Sequence, residues 1–421
     1  MIRRYLEGAI LESLRHFPAV LLTGARQVGK STLAQSLIAS TWKANYFTLD
    51  DRTTLDAALR DPDGLIGGIP SPAVIDEVQK APDLMRAIKK EVDRNRVPGR
   101  YLLTGSANVL ALAKVSETLA GRVILHTLFP FSWPEILERP QPAILNALFQ
   151  ASTAKEFIGR LPKTSRSSGK DQLIQRILAG GYPIPALLPA SKPREEWFSS
   201  YRQTYLERDL LTIKSIENIP DFNRLLTLAA FRTGRLLNLS DFSRETGLPF
   251  TTLRRYMNLL EVTYQVFYLR PYYTHAGKRL VKTPKLYFSD TGMASYLLGA
   301  HDWPALENQG QAGFFVETWV ASELLKLMPL ADHRLKLYFW RTQAGQEVDF
   351  MIERGKEIVA LEVKWGRRIE EGDIRNMRRC AEELKNRLHL SVFLYGGSEV
   401  LALTENMVAI PFPTFFGIDN K

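Results

Sequence analysis

The stretch PAVLLTGARQVGKSTLAQSLI, residues 18–38, constrains the fold of this chain more than any other. An apolar strand runs into Gly24-x-x-x-x-Gly29-Lys30-Ser31, and an apolar run at helical spacing follows. Strand, glycine-rich turn and helix together are the setting a P-loop requires. Glycine lets the backbone curl until its N–H groups point inward, and the helix N-terminus adds partial positive charge. Residues Gly24, Ala25, Arg26, Gln27, Val28, Gly29, Lys30, Ser31 and Thr32 are therefore the expected phosphate cradle. Lys30 would reach the β and γ phosphates of ATP, and the Ser31 hydroxyl would bind Mg2+.

The segment SPAVIDEVQKAPDLM supplies the carboxylates that such a loop needs, at the end of an apolar strand. Asp76 is placed to hold Mg2+ through water, and Glu77 to polarise the attacking water. Strand candidates at 45–51, 100–108 and 122–132 alternate with helical stretches, which predicts a parallel sheet flanked by helices. Ser106 or Asn108, at the end of the 100–108 strand, is placed to sense the γ-phosphate. Arg122, in LAGRV, is a candidate arginine finger.

The segments LLTGARQVGKSTL, AVIDEVQKAPDL, YLLTGSAN and LAGRVILHTLFPFSWPEIL together resemble the AAA+ ATPase domain of a large prokaryotic, archaeal-ATPase-like family of ATP-binding proteins. Further on, AGGYPIPAL, YRQTYLERDLL, LYFSDTGMASYLLG and GFFVETWVASEL resemble the same family, so the likeness covers essentially the whole chain. The resemblance implies that nucleotide binds between protomers of a homo-oligomer, such as a hexameric ring, with Arg122 acting in trans.

Charge separates the regions. Residues 1–135 carry 17 basic and 14 acidic side chains (+3), residues 136–310 carry 23 and 15 (+8), and residues 311–421 carry 15 and 16 (−1), which together give the net +10. A basic middle suits a polyanion such as DNA. The chain has one cysteine, Cys380, which excludes an internal disulfide and a cysteine-based zinc site. No apolar run reaches the roughly 18 residues that span a bilayer, so no membrane association and a cytoplasmic location are expected.

Turn formers and basic residues loosen the sequence between about 138 and 172, so 138–220 reads as a helical linker or lid behind an ATPase core at 1–137. Arg208 and Asp209 lie within that linker. From 221 to 310 three helices and a β-rich stretch follow. Leu239–Thr246 is the first helix of a helix-turn-helix, Gly247 stops it, and Pro249 and Thr251 open the second. Leu253, Met257 and Leu260 form the buried stripe of that second helix. Thr252, Arg254 and Arg255 are left to meet DNA, with Lys278, Arg279 and Lys282 on a wing that contacts phosphate. Such binding would be structure-selective rather than sequence-selective.

Residues 311–421 read as an α/β unit. Glu317 lies on its first helix, Asp349 on its second strand, and Glu362 and Lys364 on its third, where residues two apart face one side. This pattern resembles the PD-(D/E)-x-K nuclease superfamily, restriction-endonuclease-like in fold, and Glu317 resembles the helical Glu of its Holliday-junction-resolvase branch. The resemblance implies that Glu317, Asp349 and Glu362 hold Mg2+ or Mn2+ and that Lys364 orients the attacking water. EVD stands where that superfamily has Pro-Asp.

The fold class expected is thus α/β: a P-loop AAA+ parallel sheet, an α-rich winged-helix domain and a nuclease-like domain. The function expected is a Mg2+-dependent ATPase that moves or remodels DNA and has a possible endonuclease site. Two other readings stay open: a nuclease that ATP gates, and a nucleotide-controlled switch or scaffold whose nuclease-like domain is inactive.

Overall fold

The computed structural model describes residues 2–106, 121–161, 169–204, 218–273 and 282–418. Asn108, Arg208, Asp209, Lys278 and Arg279 lie outside them. The chain divides into two compact units, Arg3–Phe131 with Met257–Gln265, and Ser132–Tyr256 with Val266–Lys421.

The first unit is built on five parallel strands: β1 (Ala19–Thr23), β2 (Asn45–Thr48), β3 (Ala73–Asp76), β4 (Tyr101–Thr104) and β5 (Val123–Thr127). Their order is β2-β3-β4-β1-β5, so β4 stands between the P-loop strand and the acidic strand. The three inner strands are buried along their whole length, whereas β2 and β5 are partly exposed. Helices on both faces of a parallel sheet explain inner strands as apolar as AVLLT and YLLT. Around this sheet lie α1 (Leu6–His16), α2 (Lys30–Ser40), α3 (Arg52–Arg60), α4 (Pro62–Gly68) and α5 (Leu84–Arg94). The α5 face made of Leu84, Met85, Ile88 and Val92 packs in one core with Leu21, Ile75 and Leu103.

The second unit holds two sheets. The smaller has order β6-β8-β7, with β6 (Arg235–Leu236), β7 (Val266–Leu269) and β8 (Lys285–Phe288) all antiparallel. Beside it in sequence are α6 (Ile219–Phe231), α7 (Leu239–Thr246) and α8 (Phe250–Val262), the last of which ends in the first unit. Asn238 caps α7 by accepting from Ser240 and Asp241 N–H, and Gly247 ends it in the left-handed region at φ 73°. That conformation suits glycine because no Cβ opposes it.

The larger sheet has order β13-β14-β12-β11-β10-β9, built from β9 (Lys336–Arg341), β10 (Glu347–Arg354), β11 (Glu357–Lys364), β12 (Leu388–Tyr395), β13 (Leu401–Thr404) and β14 (Met407–Pro411). β9, β10 and β11 pair antiparallel, while β11, β12 and β14 pair parallel. Helix α9 (Ala312–Ala331) is buried on most of its surface, and α10 (Glu371–Leu384) packs Met377, Cys380 and Leu384 against Met351, Ala360 and Phe393.

Residues 144–160, within the stretch read from sequence as a helical linker or lid, form two helices, Ile144–Gln150 and Ala154–Arg160. Ile144, Leu148, Phe149 and Phe157 are buried, the Phe149 carbonyl accepts from Arg354 at 3.0 Å, and Ala154 N–H donates to Glu405 O at 2.7 Å. The apolar spacing outweighs the turn formers around it.

Asp290 shows how tightly the second unit is tied. Its buried carboxylate accepts from Gly181 N–H at 2.7 Å and from Met293 N–H at 2.9 Å, capping the helix Thr291–Leu297. A Cβ at Gly180, whose φ is 69°, would collide with that carboxylate. Asp290→Ala would strand two buried donors, and we expect it to lower the stability of the second unit by about 3 kcal/mol in urea unfolding of the full chain.

Candidate functional site

The P-loop is a turn that only its own sequence can make. Gly24 sits at φ 145°, and a Cβ there would collide with the Leu128 carbonyl oxygen; Gly29, at φ 94°, leads into α2. Gln27 also adopts positive φ, at 63°. From behind, the buried Arg4 donates to Val28 O at 3.1 Å and to Phe129 O at 2.7 Å, fixing the loop to the segment that follows β5. Inside the loop, Lys30 donates to Gly24 O at 3.1 Å and to Ala25 O at 2.8 Å. Burial lowers its pKa to about 8, although Glu77 and Asp76 act in the opposite sense.

Asp76, at the end of β3, gathers donors from three neighbours. Ser31 Oγ donates to its Oδ1 at 3.1 Å, Thr104 Oγ1 donates to the same oxygen, and Tyr46 Oη donates to Oδ2 at 2.6 Å. Burial, followed by the bond to Asp76, holds the Tyr46 phenol above its ordinary pKa, so it stays a donor. Ser31 and Asp76 fit a Mg2+ ion: a hydroxyl from the P-loop and a carboxylate from the acidic strand meet as such a site requires. Glu77 follows in the left-handed region at φ 63°, its carboxylate accepting from Gln79. The same Gln79 amide donates to Ser106 Oγ at 2.8 Å and accepts from Ser106 N–H at 3.3 Å. Gln79 thus joins the candidate base to the end of β4.

A second constellation lies in the other unit. Phe350 of β10 pairs with Leu361 of β11, so Asp349 and Glu362 come opposite each other. Asp349 N–H donates to Glu362 at 3.3 Å, and Asp349 Oδ2 accepts from Val363 N–H at 2.9 Å. Lys364 pairs with Glu362 at 3.0 Å and with Asp373 of α10 at 2.9 Å. Glu317 of α9 faces the same cluster, and into it runs Lys285 of β8. The Lys285 ammonium lies 2.7 Å from Glu317 and 3.9 Å from Asp349, and also pairs with Glu347. Tyr287 Oη donates to Glu317 at 2.5 Å. Burial would lower the pKa of Lys285, but the charges of Glu317, Asp349 and Glu347 outweigh it and leave it raised. Burial, then the charges of Glu362 and Glu317, push Asp349 well above the usual carboxylate range.

Against known proteins, residues 16–137 match the AAA domain family, residues 170–303 a domain of unknown function (DUF8612) and residues 312–415 a second one (DUF4143). The uncharacterized proteins Mb2031c of Mycobacterium bovis and Rv2008c of Mycobacterium tuberculosis are each 31% identical over 410 residues, 97% of this chain and 83% of theirs. The chain belongs to their family. Residues 16–137 are, by their match to the AAA domain family, a P-loop ATPase domain. Among solved structures, a Walker-type ATPase of Pyrococcus abyssi is similar over 70% of this chain and 96% of its own, at 13% identity and a TM-score of 0.46.

Within the AAA domain, Lys30, Ser31, Asp76 and Glu77 come together, with Gly24, Ala25, Val28 and Gly29 shaping the cradle. Arg26, Gln27 and Thr32 are exposed on its rim. Arg122 does not join them. It precedes β5, at the end of the sheet opposite the P-loop, and pairs with Asp93 at 2.6 Å. It lies one end of a strand away from its own chain's loop. The sequence-based expectations omitted Arg4, Tyr46, Gln79 and Lys285. Gln79 could have been found from its position two residues after Glu77; the other three act through contacts 24 residues or more away in sequence.

In the DUF8612 region, Thr252 and Arg255 are half-buried and Arg254 and Lys282 exposed; the Arg254 guanidinium lies 4.6 Å over the Phe250 ring. Among the described residues, no three His, Cys, Asp or Glu side chains are grouped as a metal site needs, and none of the helices is long and apolar enough to cross a membrane.

Lys30 gives the AAA domain a titratable cradle. Its pKa near 8 rises when phosphate charge enters, so the nucleotide-bound form keeps a proton that the free form loses above pH 8. We expect ATP affinity to change little from pH 7 to 8 and to fall by up to about tenfold from pH 8 to 9. Calorimetry in buffers of different ionisation heat should register proton uptake at pH 9, and Lys30→Met should abolish it.

Proposed function

We propose that the protein is a Mg2+-dependent ATPase whose nucleotide cycle governs how its middle region engages DNA. The meeting of Ser31 and Asp76 at 3.1 Å, beside Glu77, carries the ATPase reading. Mg2+ held by Ser31 and Asp76 would supply positive charge to offset the charge that develops on the phosphates. Ser31 and Asp76 hold the ion, while Tyr46 and Thr104 fix the orientation of the Asp76 carboxylate. Lys30 turns from its loop carbonyls to the phosphates. Glu77 accepts the proton of the attacking water, and Gln79 relates its position to Ser106. Arg122 serves a neighbouring protomer in a homo-oligomeric ring, since its place at the far end of the sheet removes it from its own nucleotide.

DNA engagement is supported by the net +8 of residues 136–310 and by the order helix, strand, helix, helix, strand, strand that runs from α6 to β8, which is that of a winged helix. Helix α8 carries Thr252, Arg254 and Arg255 in its first half. Its last turn and the residue Tyr264 belong to the ATPase unit, where Tyr264 Oη donates to Thr23 Oγ1 at 2.9 Å, one residue before Gly24. A second reading, a nucleotide-controlled switch with an inactive nuclease-like domain, is favoured by one observation, the lysine ammonium within the C-terminal carboxylates.

Glu77→Gln is expected to keep ATP binding and to lower hydrolysis at least a hundredfold in a phosphate-release assay; hydrolysis at the parent rate would place the base elsewhere. Binding to duplex, single-stranded and junction DNA should weaken steeply with salt, and the double variant Arg254→Ala, Arg255→Ala should reduce the salt slope by about 2. Binding without salt dependence, together with an ATPase rate that DNA leaves unchanged, would decide for the switch.

A further inference from the structure

The carboxylates of the DUF4143 domain converge on a cation that the chain itself supplies. Lys285 comes from β8, in the region matched by DUF8612, and its side chain is 3% exposed. It meets Glu317 from α9 and Glu347 and Asp349 from β10, three carboxylates from two elements of the neighbouring domain. Lys285 and Tyr287, two residues apart on β8, both contact Glu317 Oε1, so this strand presents a charge and a hydroxyl to the neighbouring domain's carboxylates. The remaining members are also engaged. Arg341 pairs with Glu347 at 2.5 Å, and Lys364 lies between Glu362 and Asp373.

This arrangement does not fit a divalent ion. An ion bound by Glu317 and Asp349 would stand beside the Lys285 ammonium, and the carboxylate oxygens nearest to it already face that ammonium. Tyr287 reinforces the preference, since its hydroxyl takes a further position at Glu317 Oε1, the same oxygen that Lys285 contacts. The Lys364 of the Glu-x-Lys pattern is likewise held between two carboxylates.

We propose that Lys285 is the resident cation of this cluster, an ionic lock between β8, α9 and β10 that occupies the place a metal would need. The site is consequently metal-free in the native chain, and its carboxylates serve to join the two domains. The inference stands on side-chain placement within the second unit and is independent of the ATPase reading.

The test is Mn2+ binding by the full chain without nucleotide, followed by the electron paramagnetic resonance signal of free Mn2+. Parent and Asp349→Asn should bind Mn2+ equally, because the cluster holds none in either; a Mn2+ ion bound by the parent and lost in Asp349→Asn overturns the proposal. Lys285→Ala should gain one Mn2+ per chain, at least tenfold tighter than any binding by the parent, and adding Asp349→Asn to Lys285→Ala should remove it. A folded Lys285→Ala protein that gains no Mn2+ also overturns it. Mn2+ should raise the melting temperature of Lys285→Ala and leave that of the parent unchanged. Should Lys285→Ala not fold, the comparison of parent with Asp349→Asn still decides.

Discussion

An ammonium removed from water must be given compensating charge or lose its proton, and both chemical centres of this protein are organised around that constraint. Lys30 and Lys285 are both almost fully buried, yet their surroundings drive them in opposite directions. Lys30 has the neutral carbonyls of Gly24 and Ala25 for direct partners, and burial lowers its pKa to about 8. It is a cation short of anions, poised to accept a polyphosphate. Lys285 has three carboxylates within 4 Å, and its pKa is raised despite burial. Two unit charges 4 Å apart interact by about 4 kcal/mol at an effective dielectric constant of 20, and a divalent ion beside an ammonium would be repelled by about twice that. The same residue type thus makes one site receptive to phosphate and the other unreceptive to metal.

Strand order does the equivalent work for Asp76. Because β3 lies between β2 and β4, its terminal carboxylate receives Tyr46 from one side and Thr104 from the other, while β4 separates it from the P-loop strand by the distance that Ser31 spans. Every one of these bonds orients the carboxylate before any ligand arrives, which is the condition for holding a metal ion in a defined geometry. Gln79 extends the arrangement to Ser106, so that the end of β4 and the candidate base share one hydrogen-bonding partner.

The sequence made the P-loop plain because its demand is on the backbone. Gly24 cannot carry a Cβ, and that requirement is written in one residue. The alternation that puts Glu362 and Lys364 on one side of β11 was readable for the same kind of reason, as was the stop that Gly247 gives to α7. What could not be read was partnership at long range. Arg4 reaches Phe129, Tyr46 reaches Asp76, and Lys285 reaches Glu317, in each case across elements whose pairing only the tertiary fold decides. The helices at 144–160 were hidden differently. Their apolar residues lie between turn formers, and packing against the larger sheet fixes them as helices.

Charge within the C-terminal cluster adds a final argument. Glu317, Glu347, Asp349, Glu362 and Asp373 face Lys285, Arg341 and Lys364, so the fully ionised set would hold two negative charges in excess, five acids against three bases. Raising Asp349 relieves part of that excess by favouring its neutral form, and a neutral carboxyl is a poor metal ligand. Removing Lys285 would add a further uncompensated negative charge to a largely buried group. The carboxylates of residues 312–415 therefore depend for their neutralisation on a lysine of residues 170–303, and two regions that match separate families are electrostatically one body. Both regions lie in a single compact unit.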